Sequence, residues 1–271
     1  MLNKFNASSL ILIFGMALTS KSRAQLETQG WDWPSQSSYE HITDYKKANP
    51  SPGPEPKCVV NVKKTMTIKG TLDGKGCLYR WRGEGYPKKC HAPEELSESE
   101  PRMFVMSPGS TIKNLQMECS LDGILMNDNT TVDNIINRDC EEDCITTKGK
   151  NNTIKNSKFF LCQDKCLQLN QASNVKILNN EFYHALRPMS GSGGKKGGAS
   201  NIQAVGNYCY NCEIMIRAQS NHDFHAKDNE LKKGECMFET VDKSVIYDQG
   251  GNTVSDATQM CSDGTKNVKP E

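Results

Sequence analysis

TIKN at residues 111–114, TVDN at 131–134 and TIKN at 153–156 are one tetrad written three times, at steps of 20 and 22 residues. Val175 to Asn179 continues the series weakly at about the same step. A short β-branched strand followed by an asparagine turn, repeated near this period, predicts a solenoid of strands. Leucine-rich repeats share the period but carry a regular leucine skeleton, which this chain lacks, and the density of Asn, Thr and Gly excludes a long helix. The expected architecture is all-β, a parallel β-helix of coils of ~20–22 residues, each laying its strands on the coil below at ~4.8 Å. Asn114, Asn134 and Asn156 fall in register, as a side-chain ladder at a turn requires.

Counting on from each tetrad threonine, the eleventh residues are Asp122, Glu142 and Asp164, and the thirteenth are Ile124, Cys144 and Cys166. The apolar thirteenth position points into the core. Side chains alternate along a straight strand, so the acids would point inward as well. A corner must therefore separate the two positions and turn the acids out. Glu142 then has an acid above it, another below, and Asp143 beside it. Unit charges ~5 Å apart at an effective dielectric near 20 repel by about 3 kcal/mol. A cation resolves that repulsion, and hard carboxylate oxygens favour calcium. The metal-site candidates are Asp122, Glu142 and Asp143.

The two ends of the chain frame this repeat. Lys4 followed by the apolar run Leu10–Leu18, with small residues at Ser22 and Ala24, predicts a signal peptide over 1–24 and an exported protein. Residues 25–57, with five prolines and little aliphatic content, form an expected arm or linker, in which Trp31 and Trp33 serve as a tether. The β-helix is expected over 58–262 and a polar tail over 263–271. Lys and Arg number 33 against 32 Asp and Glu, so no bulk charge favours nucleic acid or an anionic membrane, and a monomer is expected. All twelve cysteines follow the signal segment, so disulfides are expected rather than zinc, although the close pairs loosely resemble a metal knuckle. Sequons at Asn129 and Asn151 are expected on loops.

The segments STIKNLQMECSLDGI (110–124), CEEDCITTKG (140–149), CQDKCLQLN (162–170) and FYHALRP (182–188), in this order and spacing, resemble the compact pectate lyases of polysaccharide lyase family three; TLDGKGCLYR (71–80) and SESEPRMF (97–104) do so less closely. The resemblance covers about 58–187. It implies a right-handed parallel β-helix, calcium dependence and eliminative cleavage of (1→4)-α-D-galacturonan, pectate, to 4,5-unsaturated products. It also implies roles: Asp122, Glu142 and Asp143 for calcium; Lys165, flanked by Asp164, as the base; Arg187 as clamp of the sugar carboxylate; Lys148 as a second lysine of the reaction; and Glu98 near the substrate. Lys195 and Lys196, in a Gly-rich insert, would grip the anionic polymer. The chain departs from the family at Leu186-Arg187-Pro188, where an aromatic-Arg-Ser stretch is usual. Two other readings therefore stand beside the enzyme: a β-helix that binds acidic polysaccharide without turning it over, and a hydrolase of the same fold relying on paired acids. Lys165 as a mere ion pair of Asp143 is the bland account of that residue.

Overall fold

The computed structural model describes residues 55–83, 102–118, 120, 122–138, 140, 142–162, 164–191, 198, 200–261 and 267–271. Among them every regular element is a β-strand and every strand pairing is parallel, giving the parallel β-helix that the repeat predicted, right-handed as the family resemblance implied. Three strands per coil make three faces. One is the nine-stranded sheet that carries the tetrads, with Thr111, Thr131 and Thr153 in register. The other two merge into a sixteen-stranded sheet, because the eleven-residue strands Tyr208–Ala218 and Glu230–Thr240 run through both. We call these two the acidic face and the aromatic face.

The residues between the faces explain the corners. Asn114, Asn134 and Asn156 all have φ between 53° and 54°, in the left-handed region that asparagine tolerates better than most residues. Asn134 donates from Nδ2 to Asn114 Oδ1 at 2.8 Å, whereas Asn156 turns to Asp133 instead. A second ladder runs through Asn129, Asn151, Asn174 and Asn201 at another corner. A third, interior from Asn180 to Asn229 and half-buried at its end, links Asn180, Asn207, Asn229 and Asn252, each Nδ2 donating to the next Oδ1 at 2.9–3.1 Å. Inside the coils, Ile112, Val132 and Ile154 stack from the nine-stranded sheet, and Phe104, Ile124, Ile145 and Leu167 from the acidic face.

Ten cysteines pair as Cys58–Cys77, Cys140–Cys144, Cys162–Cys166, Cys209–Cys212 and Cys236–Cys261, so disulfides rather than zinc account for them. Cys140 and Cys162 stack in neighbouring coils, each bonded within its own coil. Residues 268–270, within the expected polar tail, form a strand on Val245–Asp248. The expected signal peptide, most of the arm, Cys90, Cys119, Glu98, Lys195 and Lys196 lie outside the described residues.

Candidate active site

The acidic face bends where the sequence required a corner. Its ladder pairs Asp143 with Lys165, omits Cys144 and Cys166, and resumes at Ile145 and Leu167; the same interruption follows Arg102 and Arg187. At the bend the backbones close up. A Cβ built on Gly123 would lie 2.2 Å from the carbonyl oxygen of Cys144, so no other residue fits there. Beyond the bend Ile124, Ile145, Leu167 and Met189 point inward, and the residues before it point out.

The register corrects the expected column. Asp122, Glu142 and Asp164 are not one stack, because Ile124 pairs with Ile145 and Leu167, not with Cys144 and Cys166. The coil beginning at Thr131 carries one more residue before its core position than the coil beginning at Thr111. The outward column therefore reads Arg102, Asp122, Asp143, Lys165 and Arg187, one per coil, with Glu142 and Asp164 adjacent in the row before it. Arg102 was not foreseen. It pairs with Asp122 at 2.8 Å, and the only prior signal of it was its place just ahead of Met103 and Phe104.

Electrostatics concentrate on Asp143. Burial, followed by repulsion from Asp122, Asp164 and Glu142, pushes its carboxyl up to about 7 against the pull of Lys165. Its Oδ1 is buried with no hydrogen-bond partner. Glu142 is raised too, by burial and then by Asp164. Asp122 is raised by burial, which outweighs Arg102, the Asp143 backbone, Lys148 and Lys165. Lys148, just past the Asp143–Thr147 strand, is thus within electrostatic reach of Asp122. Four acids share one spot with too little positive charge to satisfy them, and the buried Asp143 Oδ1 makes no hydrogen bond, its ion pair with Lys165 Nζ being 3.5 Å long. Asp122, Glu142 and Asp143 fit a hard divalent cation such as calcium.

Lys165 touches both Asp164, to which its Nζ donates, and Asp143 at 3.5 Å. Burial lowers its pKa, but Asp143 and Asp164 outweigh burial and Arg187, and the net displacement is upward. The neighbouring carboxylates thus favour the protonated form of Lys165. Arg187 lies one coil further, 3.4 Å from Asp164, with its Nε buried and without a hydrogen-bond partner. Pro188 follows it at the bend, where the ladder already lacks a pairing, so the departure from aromatic-Arg-Ser does not displace Arg187 from the column.

The family model described as Pectate lyase matches residues 51–227. The chain belongs to the pectate lyase family. It is a polysaccharide lyase by that membership. Among solved structures, a pectate lyase from Bacillus sp. N165 in complex with trigalacturonate is similar at 13% identity, with 69% of each chain covered and a TM-score of 0.38. An alginate lyase from Paenibacillus sp. str. FPU-7 is similar at 11% identity, covering 86% of this chain and 98% of that one, with a TM-score of 0.43. The family match spans all the site residues described above, from Arg102 to Arg187, and ends before the last two coils.

Proposed function

We propose that this pectate lyase family member is a secreted, calcium-dependent enzyme that cleaves polygalacturonate by β-elimination. The observation that carries the reading is the column Asp122–Asp143–Lys165–Arg187, in which an under-neutralised acid cluster adjoins a lysine and an arginine one coil apart. Asp122, Glu142 and Asp143 would hold the calcium. When bound, it supplies positive charge beside the uronate carboxylate and so acidifies the neighbouring C5–H. Arg187, whose side chain is about 30% exposed, receives the same carboxylate on its planar guanidinium.

Lys165 takes the C5 proton on Nζ. The electrons of that C–H bond form the C4–C5 double bond, and the C4–O bond breaks with its pair left on the glycosidic oxygen, which is then protonated. A lysine can act so only as the free amine. Asp143 and Asp164 hold it protonated, while Arg187 works in the opposite direction. Activity is therefore expected only where those carboxylates are turned to another positive charge. Lys148 adds charge on the Asp122 side of the groove. Lys195, Lys196 and Glu98 are proposed as further contacts to the polymer. The five described disulfides support placement outside the cell.

The test is the ultraviolet absorbance of unsaturated uronide formed from polygalacturonate, with calcium and with chelator. Product with calcium and none with chelator is expected. Reducing ends without that absorbance would mean hydrolysis, and neither signal would leave a binding protein.

A further inference from the structure

The outward column has an arginine at each end. Arg187 follows Lys165 on one side, and Arg102 precedes Asp122 on the other. The elimination uses Arg187 and leaves Arg102 without a task. Yet the two ends are built alike. Arg102 reaches Asp122 at 2.8 Å and Arg187 reaches Asp164 at 3.4 Å, with both side chains part-exposed. The backbone of Arg102 is fixed from the preceding coil, where the Thr65 hydroxyl donates to its carbonyl at 2.7 Å. That coil offers the guanidinium no acid in return. Two residues before Met66, the partner of Phe104, stands Lys64, with Lys63 beside it. Among the described residues Asp122 is therefore the one carboxylate that Arg102 pairs with. The contact is single. It runs from Nη2 to Oδ2, and the Arg102 Nε is buried with no hydrogen-bond partner. A one-pronged pair lacks the second parallel bond that makes arginine–carboxylate forks strong.

Asp122 is also one of the three acids assigned to calcium. A guanidinium and a dication cannot both hold it at full strength, because like charges repel across a shared ligand. We infer that Arg102 is an exchangeable counter-ion: without metal it neutralises Asp122, and once a cation takes that acid it holds a carboxylate of the polymer. The inference rests on the calcium-dependent reading above. With the acids neutralised by a cation, the column is positive from Arg102 to Arg187, four coil steps or ~19 Å. A polyuronate carries a carboxylate on every sugar, so a chain lying along the column presents anions to both ends. Arg102 is then a second clamp, on the far side of the acids from Arg187. It also keeps calcium affinity low until polymer is present, so each ligand favours binding of the other by linkage.

Calorimetry with calcium alone, on chelator-stripped protein, tests the first half and needs no turnover. Arg102→Gln is expected to bind calcium at least ~10-fold more tightly than the parent, because the competing charge is gone. Kinetics at saturating calcium test the second half. There Arg102→Gln should raise KM for polygalacturonate more than it lowers kcat. Arg102→Lys keeps the charge but not the planar fork, so it should bind calcium like the parent and still raise KM. That variant serves if the glutamine one folds poorly. Calcium affinity unchanged or weakened in Arg102→Gln overturns the inference, and a lower melting temperature alongside would make the pair a plain tie between coils. An unchanged KM overturns it as well. If neither parent nor variant binds calcium, the metal site itself falls, and the inference with it.

Discussion

At Asp143, burial and three neighbouring acids act in the same direction, and Lys165 opposes them. A folded-state pKa of about 7 against an ordinary value of 3.8 means that the folded chain binds a proton the unfolded chain has already lost. Stability therefore falls as pH rises through that window. In chelator at pH 8, Asp143→Asn should be more stable than the parent by at most ~4 kcal/mol and so melt higher. The gain should vanish near pH 4, and calcium should no longer raise the melting temperature of the variant. A variant that melts lower in chelator would show that Lys165 already satisfies Asp143. Lys165 and Arg187 give the complementary result. Lys165→Ala should cut turnover ~10²–10⁴-fold, as loss of a general base does, with polymer binding retained. Arg187→Lys keeps the charge but not the planar fork with its buried Nε, and should also lower turnover. An active but less stable Lys165→Ala enzyme would reduce that residue to the ion pair it makes with Asp143.

Coil by coil, the asparagine ladders differ in what surrounds them. Asn207 receives the N–H and Nδ2 of Asn180 on its Oδ1, and its own Nδ2 reaches the Ile177 carbonyl and Asn229, all within the interior. Asn207→Ala strands two buried donors at once and should cost on the order of 3 kcal/mol in urea unfolding. Replacing Asn174 in the exposed ladder costs only its left-handed turn, about 1–2 kcal/mol. Equal costs would mean that water replaces the interior partners. The tetrads were legible because Thr111, Thr131 and Thr153 do stand in register, and the corner was legible because acids and Ile124 could not share one side. The extra residue before Ile145 was not, since counting assumes coils of equal length. The interior ladder beyond Asn179 escaped because the coil from there to Gly206 is longer and its tetrad has dissolved. Paired aromatics such as Phe159-Phe160 and Phe182-Tyr183 conceal which ring faces in, so the aromatic face could not be read from the sequence at all.

For the molecule as a whole, the site is a property of the stack: Asp122, Asp143, Lys165 and Arg187 come from four successive coils, and each contacts only its neighbours. Among the described residues no disulfide joins those four coils to one another, for Cys140–Cys144, Cys162–Cys166 and Cys209–Cys212 each close within one coil over three or four residues. The widest described bridge, Cys236–Cys261, spans 25. Mechanically, such a chain is a spool with no knot through it. Pulled by its ends, it should pay out roughly one coil at a time, in steps of about 75 Å for some 22 residues. Prior reduction should lengthen the fully drawn thread by only about 150–200 Å through the described bridges. Force spectroscopy would reveal these steps, and a single rupture of the whole length would show that the coils fail together.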